Sequence, residues 1–395
     1  NYILFDDNSW HNLLPFTFTR PVAEIRIGIL TIREKWEHRL KISCSHLTQG
    51  YLTEKYPMKT GDLNIFINGS VCPNSSLIEE INQLKPGEQL VDKELSIALC
   101  LEKSAFNKII NSRLEASSKK QVKSTYFALK SVWEIFQHNG SEINNDFQLL
   151  TTGKKSDEIS KTNNVINADS IFAEPGAKLE FVTLNAANGP IYIGKDTEIM
   201  EGAVIRGPFA LCNHSQVKMS AKIYGPTTIG PYSKVGGEIN NVVFFGFSNK
   251  AHDGFLGNSV IGEWCNIGAG TEASNLKNNY APVKLWNYSS EKFENTGLQF
   301  CGLMMADHSK CGINTMFNTG TVVGVNANIF GAGYPRNFIP SFSWGGAAGY
   351  SEFSLSKAYE TAERVMERRN LKLSDADKKI LAHVFEITRK YRNFK

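Results

Sequence analysis

Along the second half of the chain the aliphatic residues fall on a fixed step. Ile193, Ile199, Ile205, Leu211, Val217, Ile223, Ile229 and Val235 succeed one another six residues apart. That interval matches neither the 3.6-residue period of a helix nor the 2.0 of a strand. It predicts a triangular coil in which each side is a short strand, each corner is a tight turn, and one aliphatic side chain per side points inward. Gly194, Gly230 and Gly236 directly follow inward residues, where a turn benefits from the absence of a Cβ, and small residues such as Ala203, Ala221 and Ser233 recur between corners. A run of ordinary half-buried strands would account for the aliphatic residues but not for their period.

The step breaks at Asn241, resumes at Ile261 and Ile267, and is interrupted by a polar stretch from about Ser274 to Phe300. It returns at Cys311, Phe317, Val323 and Ile329. Loops inserted into a solenoid tend to lie on one face, often the binding face, so chemistry is expected in 241–260 and 274–300. Upstream, the pattern predicts strands at Tyr2–Phe5 and Leu63–Asn68, with helices over Ile29–Leu40 and near Lys130–His138; that alternation suggests a parallel sheet. Downstream of Trp344, helical periodicity runs over Leu355–Asn370 and Asp375–Tyr391, with Ser374 as the cap of the second helix. The expected fold is therefore an α/β domain over 1–160, a parallel β-helix over 161–345, and a helical tail over 346–395 that covers the open end of the coil.

Composition narrows the partners. Hydrophobic residues make up 42% of the chain and charged ones 21%, and a formal charge of +4 over 395 residues does not suggest a nucleic-acid partner. The seven cysteines are scattered and form no CxxC pair, which reads as free thiols in a reducing compartment. No apolar run reaches the roughly 20 residues of a membrane span, and the first thirty residues lack the basic-then-apolar order of a signal peptide. A cytoplasmic protein is the expectation.

The stretch from His252 through Phe255-Leu256-Gly257 and Asn266-Ile267-Gly268-Ala269-Gly270-Thr271 to Asn275 resembles the acetyltransferase half of the bifunctional UDP-N-acetylglucosamine pyrophosphorylase/glucosamine-1-phosphate N-acetyltransferases. The resemblance spans roughly 190–340. It implies a left-handed β-helix, a homotrimer with sites between neighbouring subunits, and acetyl-CoA as cosubstrate. It also implies His252 as the general base, Asn266 and Asn275 as side chains that hold the sugar and the polar groups of the reaction, and Ala269 as a small residue beside the thioester. The chemistry needs such a base, because only the free amine of an amino sugar can attack a thioester and histidine titrates near neutrality. Lys250 and Lys277 flank these positions; each is a candidate for the sugar's phosphate or a solvated surface lysine. Phe255 stands where the family usually has a tyrosine, and Leu276 where many members have a second one, which bears on sugar preference.

The segment Leu14-Pro15-Phe16-Thr17-Phe18-Thr19-Arg20-Pro21-Val22-Ala23 resembles the signature of sugar-1-phosphate nucleotidyltransferases. Val22 replaces the usual lysine, and Asp6-Asp7-Asn8-Ser9-Trp10 replaces the glycine-rich phosphate loop. The resemblance implies Arg20 and Arg26 as cations for a nucleotide, the alternative for Arg20 being a structural hydrogen bond to the turn at Pro21. Ser70 stands where a metal carboxylate is usual, which leaves Asp6 or Asp7 to hold Mg²⁺. The whole pattern implies two coupled reactions, acetylation of glucosamine 1-phosphate and transfer of UMP from UTP. Three other readings stay open: an acyltransferase whose first domain has lost catalysis and senses a sugar or nucleotide, another sugar-1-phosphate nucleotidyltransferase, and a trimeric scaffold without catalysis.

Overall fold

The computed structural model describes residues 1–105 and 116–394. Its contacts form two compact units, one of residues 1–13, 20–25 and 30–131, the other of 14–19, 26–29 and 132–395. Two short segments near the amino terminus, 14–19 and 26–29, belong to the second unit. No helix among the described residues is long and apolar enough to cross a membrane.

The first unit is built on six strands, β1 (Tyr2–Phe5), β2 (Cys44–Leu47), β3 (Leu63–Asn68), β4 (Glu88–Asp92), β5 (Leu95–Glu102) and β6 (Ser118–Gln121), in the order β2-β1-β3-β5-β4-β6. β1 runs parallel to β2 and β3, but β5 is antiparallel to β3 and β4, so the sheet is mixed where a parallel one was expected. The cause is local. Asp92 pairs with Leu95 across a two-residue turn in which Lys93 takes φ 53°, and a hairpin needs no helical crossover. Helix α1 (Ile32–Leu40) starts three residues later than predicted because Thr31 forms a capping box with Glu34. Helix α2 (Ser75–Asn82) is capped by Asn74, which accepts from the Leu77 N–H at 2.9 Å.

The second unit is the predicted coil. Three strands per turn stack in parallel on their equivalents one turn away, so the backbone groups of each turn are satisfied by the turns on either side. One face carries inward Leu184, Ile205, Ile223, Ile239, Leu256, Ala273 and Phe317 in register. Another carries Leu179, Ile199, Val217, Val235, Lys250, Ile267, Cys311 and Ile329. The remaining face carries Ile193, Leu211, Ile229, Phe244, Ile261, Met305 and Val323. These aliphatic and aromatic side chains are almost wholly buried. At one corner Ser215, Ser233 and Ser248 form a ladder: the Ser215 hydroxyl accepts from the Ser233 N–H, Ser233 from Ser248, and Ser248 from Cys265, at 2.9–3.2 Å. Next to it His214, Tyr232, Phe247 and Trp264, all at positive φ, stack ring on ring with centroids 4.3–5.0 Å apart.

The first break in the six-residue step is not an inserted loop. Glu238–Gly246 and Phe255–Glu263 are nine-residue strands that continue the coil on a shorter turn, so that inward residues move off the step. The second break is an insertion, an antiparallel hairpin of Lys284–Asn287 and Lys292–Asn295, whose Leu285 and neighbouring Val283 and Tyr288 are buried. Helix α3 (Asn139–Thr151) precedes the coil, and α4 (Leu355–Glu367) and α5 (Asp375–Ile387) follow it, α5 opening on a capping box at Ser374.

Truncating one inward side chain should leave a void that neighbouring turns, locked in register, cannot close. Ile205→Ala is expected to cost about 2–5 kcal/mol in guanidinium unfolding of the coil. A loss under about 1 kcal/mol would show that the column is not tightly packed at that point.

Candidate active site

The richest site in the second unit lies where the shortened turns end. Asn249–Lys250 and Asn266–Ile267 stack in adjacent turns, and the chain bends after each, at Ala251–Gly254 and at Gly268–Thr271. The bends are joined by the Gly270 N–H donating to the Asp253 carbonyl at 2.9 Å. Gly254 takes φ 116°, and a Cβ there would run into the Thr271 carbonyl, so the close approach of the two bends requires glycine. This arrangement brings His252 and Ala269 to one cavity of about 670 Å³, with Asn266 on its wall. His252 and Asn266 are both exposed.

Phe247 and Trp264 form an aromatic wall, their rings 4.3 Å apart and nearly parallel. Lys234, Lys310, Arg368 and Arg369 supply four cations, the two arginines from the residues just after α4. No carboxylate lines the cavity among the described residues. Burial lowers the Lys310 pKa to about 8, its ammonium donating to the His308 carbonyl at 2.8 Å. Lys234 is lowered by burial and then by the charges of Arg369, Lys218 and Arg368. Like charges held together in this way favour a bound anion, and a polyanion more than a single charge.

Phe255 and Asn275 do not line that cavity. They lie on the adjoining face and converge on Gly257, where a Cβ would come within 2.5 Å of Asn275 Nδ2 and 2.6 Å of Phe255 Cζ. Asn275 donates to Asn258 Oδ1 at 2.7 Å, and the Phe255 N–H donates to Glu272 at 2.8 Å. Lys277 is separate from both groups and donates to the Pro282 carbonyl at 3.0 Å. Lys250 is not a surface lysine. It is 1% exposed, and its ammonium donates to the carbonyls of His252 and Gly236 at 2.7 and 3.2 Å.

Arg26 is likewise committed. It is buried in the second unit, where its guanidinium donates to the carbonyls of Phe245, at 3.0 Å, and Ile29. Around it, the Gly28 and Ile29 N–H groups donate to Asn139 and Asp146 of α3, both at 2.8 Å, and Thr19 donates to Asp307 at 2.6 Å. The segments 14–19 and 26–29 are therefore fastened to the coil, with Arg26 among the side chains that hold them. Arg20 belongs to the first unit and is 4% exposed.

In the first unit, Asp6 and Asp7 follow β1 and Asn68 ends the adjacent β3, at the carboxyl edge where α/β sheets take ligands. Asp7 accepts from the Ser9 N–H and from Asn68 Nδ2, both at 2.8 Å, and Ser70 donates to Asn68 Oδ1 at 2.8 Å. Asp6 accepts from the Val22 N–H at 2.9 Å and the Thr48 hydroxyl at 2.5 Å. Burial pushes its pKa up to about 6 despite those bonds, with the Asp7 charge adding to the rise. No group of three or more His, Cys, Asp or Glu suited to a metal occurs among the described residues.

Sequence reasoning missed the four cations and the aromatic wall. Lys234 and Lys310 had a signal, since both stand in register with Asn266 on the outward side of one column. Arg368 and Arg369 had none, because their place depends on how the tail docks.

Residues 2–155 match the family model for sugar nucleotidyl transferases. The chain is 29% identical over 144 residues to the bifunctional sugar-1-phosphate nucleotidylyltransferase/acetyltransferase of Sulfurisphaera tokodaii, covering 36% of this chain and 35% of that protein. It is 39% identical over 75 residues to the bifunctional protein GlmU of Methanocaldococcus jannaschii, covering 19% and 18%. With the putative uncharacterized acetyltransferase YaiX of Escherichia coli K12 it shares 26% over 150 residues, covering 38% and 64%. The chain thus spans less than two thirds of each of these relatives.

The buried Asp6 carboxyl gives the first unit a pH signature. Because it binds its proton more tightly in the folded chain than in the unfolded one, its contribution favours folding below about pH 4 and is lost as pH rises toward 6. Asp6→Asn keeps a partner for both Val22 and Thr48 but does not titrate. Between pH 4 and 6 wild type should lose roughly 1–2 kcal/mol relative to this variant in denaturant unfolding; parallel curves would refute the shift.

Proposed function

From a sugar nucleotidyltransferase domain and a cationic cavity built around His252, we propose that the protein is a bifunctional transferase: it acetylates the amino group of glucosamine 1-phosphate and passes UMP from UTP to the product. The observation that carries the acetyl step is the meeting of His252, Asn266 and Ala269 with four cations in one cavity. Acetyl-CoA is polyanionic at its nucleotide end. Lys234, Lys310, Arg368 and Arg369 supply its counter-charges, and the small Ala269 leaves room for the thioester.

In the transfer itself, the sugar amine attacks the thioester carbonyl carbon while His252 takes the amine's proton. The tetrahedral intermediate then collapses with cleavage of the carbon–sulfur bond, and the imidazolium returns the proton to the departing thiolate. The Ala269 main-chain amide is the candidate to stabilise the oxyanion, since those of Gly268 and Gly270 donate to the Cys311 and Asp253 carbonyls. Asn275 and the Phe255 ring, side by side over Gly257, fit the hydroxyls and the apolar face of a sugar.

For the second reaction, Asp6 and Asp7 fit a Mg²⁺ ion held chiefly by the nucleotide's phosphates, since such sites use only one or two carboxylates and a cation would relieve the buried Asp6 charge. The ion would supply charge neutralisation to the triphosphate. Arg20, on the same unit, is a candidate cation for the nucleotide. A second reading, an acyltransferase with a binding-only first unit, is favoured by the bonds of Arg26 to the carbonyls of Phe245 and Ile29. We further infer a homotrimer, with Val204 and Tyr224, both exposed on one face, covered by a second copy, in a reducing cytoplasm that suits seven free cysteines.

The test is to incubate the protein with glucosamine 1-phosphate, acetyl-CoA, UTP and Mg²⁺, withholding each in turn, and to follow free thiol and pyrophosphate separately. Thiol release that needs the amino sugar and pyrophosphate release that needs UTP are expected. Thiol without pyrophosphate would favour the second reading. His252→Ala should lower kcat for thiol release by about 10²- to 10⁴-fold in a folded protein, and a wild-type rate would remove the base from the mechanism. Arg368→Ala and Arg369→Ala should each raise KM for acetyl-CoA about tenfold with a smaller change in kcat. Unchanged KM in both would displace the nucleotide end of the cosubstrate from this cavity.

A further inference from the structure

Lys250 breaks the rule that builds the coil. It occupies an inward position in register between Val235 and Ile267, in a column whose other members are apolar, and it is 1% exposed. A valine or isoleucine would fill that place without removing an ammonium from water. Burial is felt by the group, which is lowered to about pKa 8 although Glu272 and Asp253 pull the other way. A position where local consistency is broken calls for a compensating gain.

The gain is at the end of the side chain. Its Nζ donates at 2.7 Å to the carbonyl of His252 and at 3.2 Å to that of Gly236, one turn earlier. The first of these carbonyls lies inside the bend that also contains Gly254, whose φ of 116° few residues can adopt. The bend is thus held from beneath by a side chain rooted in the buried column of the coil, in addition to the Gly270–Asp253 bond, while the imidazole of His252 faces the cavity. A shift of about an ångström at the base is enough to cost about 10²-fold in rate.

We propose that Lys250 is a positioning residue, fixing the bend that carries His252 so that the imidazole is pre-aligned over the acetyl-transfer cavity. The inference rests on His252 being the base. Lys250→Met tests it, since methionine suits the apolar column in size and character. The expected result is a melting temperature equal to or above that of wild type, kcat for acetyl transfer lower by about 10²-fold, and an unchanged KM for acetyl-CoA. Lys250→Gln, whose amide has two N–H donors, should recover part of the rate. In a His252→Ala background Lys250→Met should add no further loss.

A folded Lys250→Met protein with kcat within about twofold of wild type overturns the proposal, as does an equal loss in the two backgrounds. A melting temperature far below wild type in both Lys250 variants would make the lysine a structural cap and overturn it as well. The two readings separate cleanly. His252→Ala at the wild-type rate removes the base itself, whereas a silent His252→Ala beside an active Lys250→Met leaves the base and removes only its support.

Discussion

Each turn of the coil finds its hydrogen-bond partners in the turns on either side, and what the second unit can present follows from that constraint. Register is fixed for every strand at once, because slipping one would strip the amides of two neighbours. Inward positions are thereby dictated, and chemical freedom is left to outward columns and to corners. Both are used here. Asn266, Lys234 and Lys310 stand on one outward column, and His252 and Ala269 on successive corners. These five residues need no inserted loop to bring them together, whereas Arg368 and Arg369 arrive from the tail just after α4.

That constraint also decides what could be read from the chain. The six-residue step identified the coil because one inward aliphatic per side leaves a mark that no helix or open sheet makes. It was misleading at 241–260, where a break in the step signified a shorter turn and not an insertion: Phe244 and Ile261 remain inward, but on strands nine residues long. Within the site, the motif from His252 to Asn275 was legible, yet it ran together two places. His252, Asn266 and Ala269 share a cavity, while Phe255 and Asn275 lie around the corner over Gly257. Spacing along a coil does not say which side of a corner a residue faces.

The amino-terminal signature was harder to read, for a different reason. Its residues alternate between the two units, with Leu14–Thr19 and Arg26–Ile29 in the second and Arg20–Ile25 in the first. An irregular segment must satisfy its main-chain groups with whatever lies nearby, and Asn139, Asp146 and Thr228 do so from positions far away in sequence, while Asp307 takes the Thr19 hydroxyl. No local pattern announces such partners. Arg26, a candidate cation for a nucleotide in the sequence, donates in the fold to the carbonyls of Phe245 and Ile29. The mixed sheet escaped notice likewise, because the turn at Lys93–Glu94 lacks the glycine or asparagine that usually marks a hairpin.

Polar atoms inside the coil offer a control for the meaning of Lys250. Ser215, Ser233 and Ser248 are also fully buried, but each hydroxyl accepts from the main chain of the next turn, extending the turn-to-turn pairing around a corner where strands cannot pair. They serve the coil, and they repeat with it. Lys250 has no counterpart in the turns above and below, where the same position is Val235 and Ile267, so the coil's own hydrogen bonding does not require it. A structural need common to every turn would recur; a feature that occurs once, at the turn bearing the exposed histidine, belongs to what that turn does. On this reasoning the lysine is tied to the chemistry of one corner, and the desolvation of its ammonium is the cost of holding that corner still.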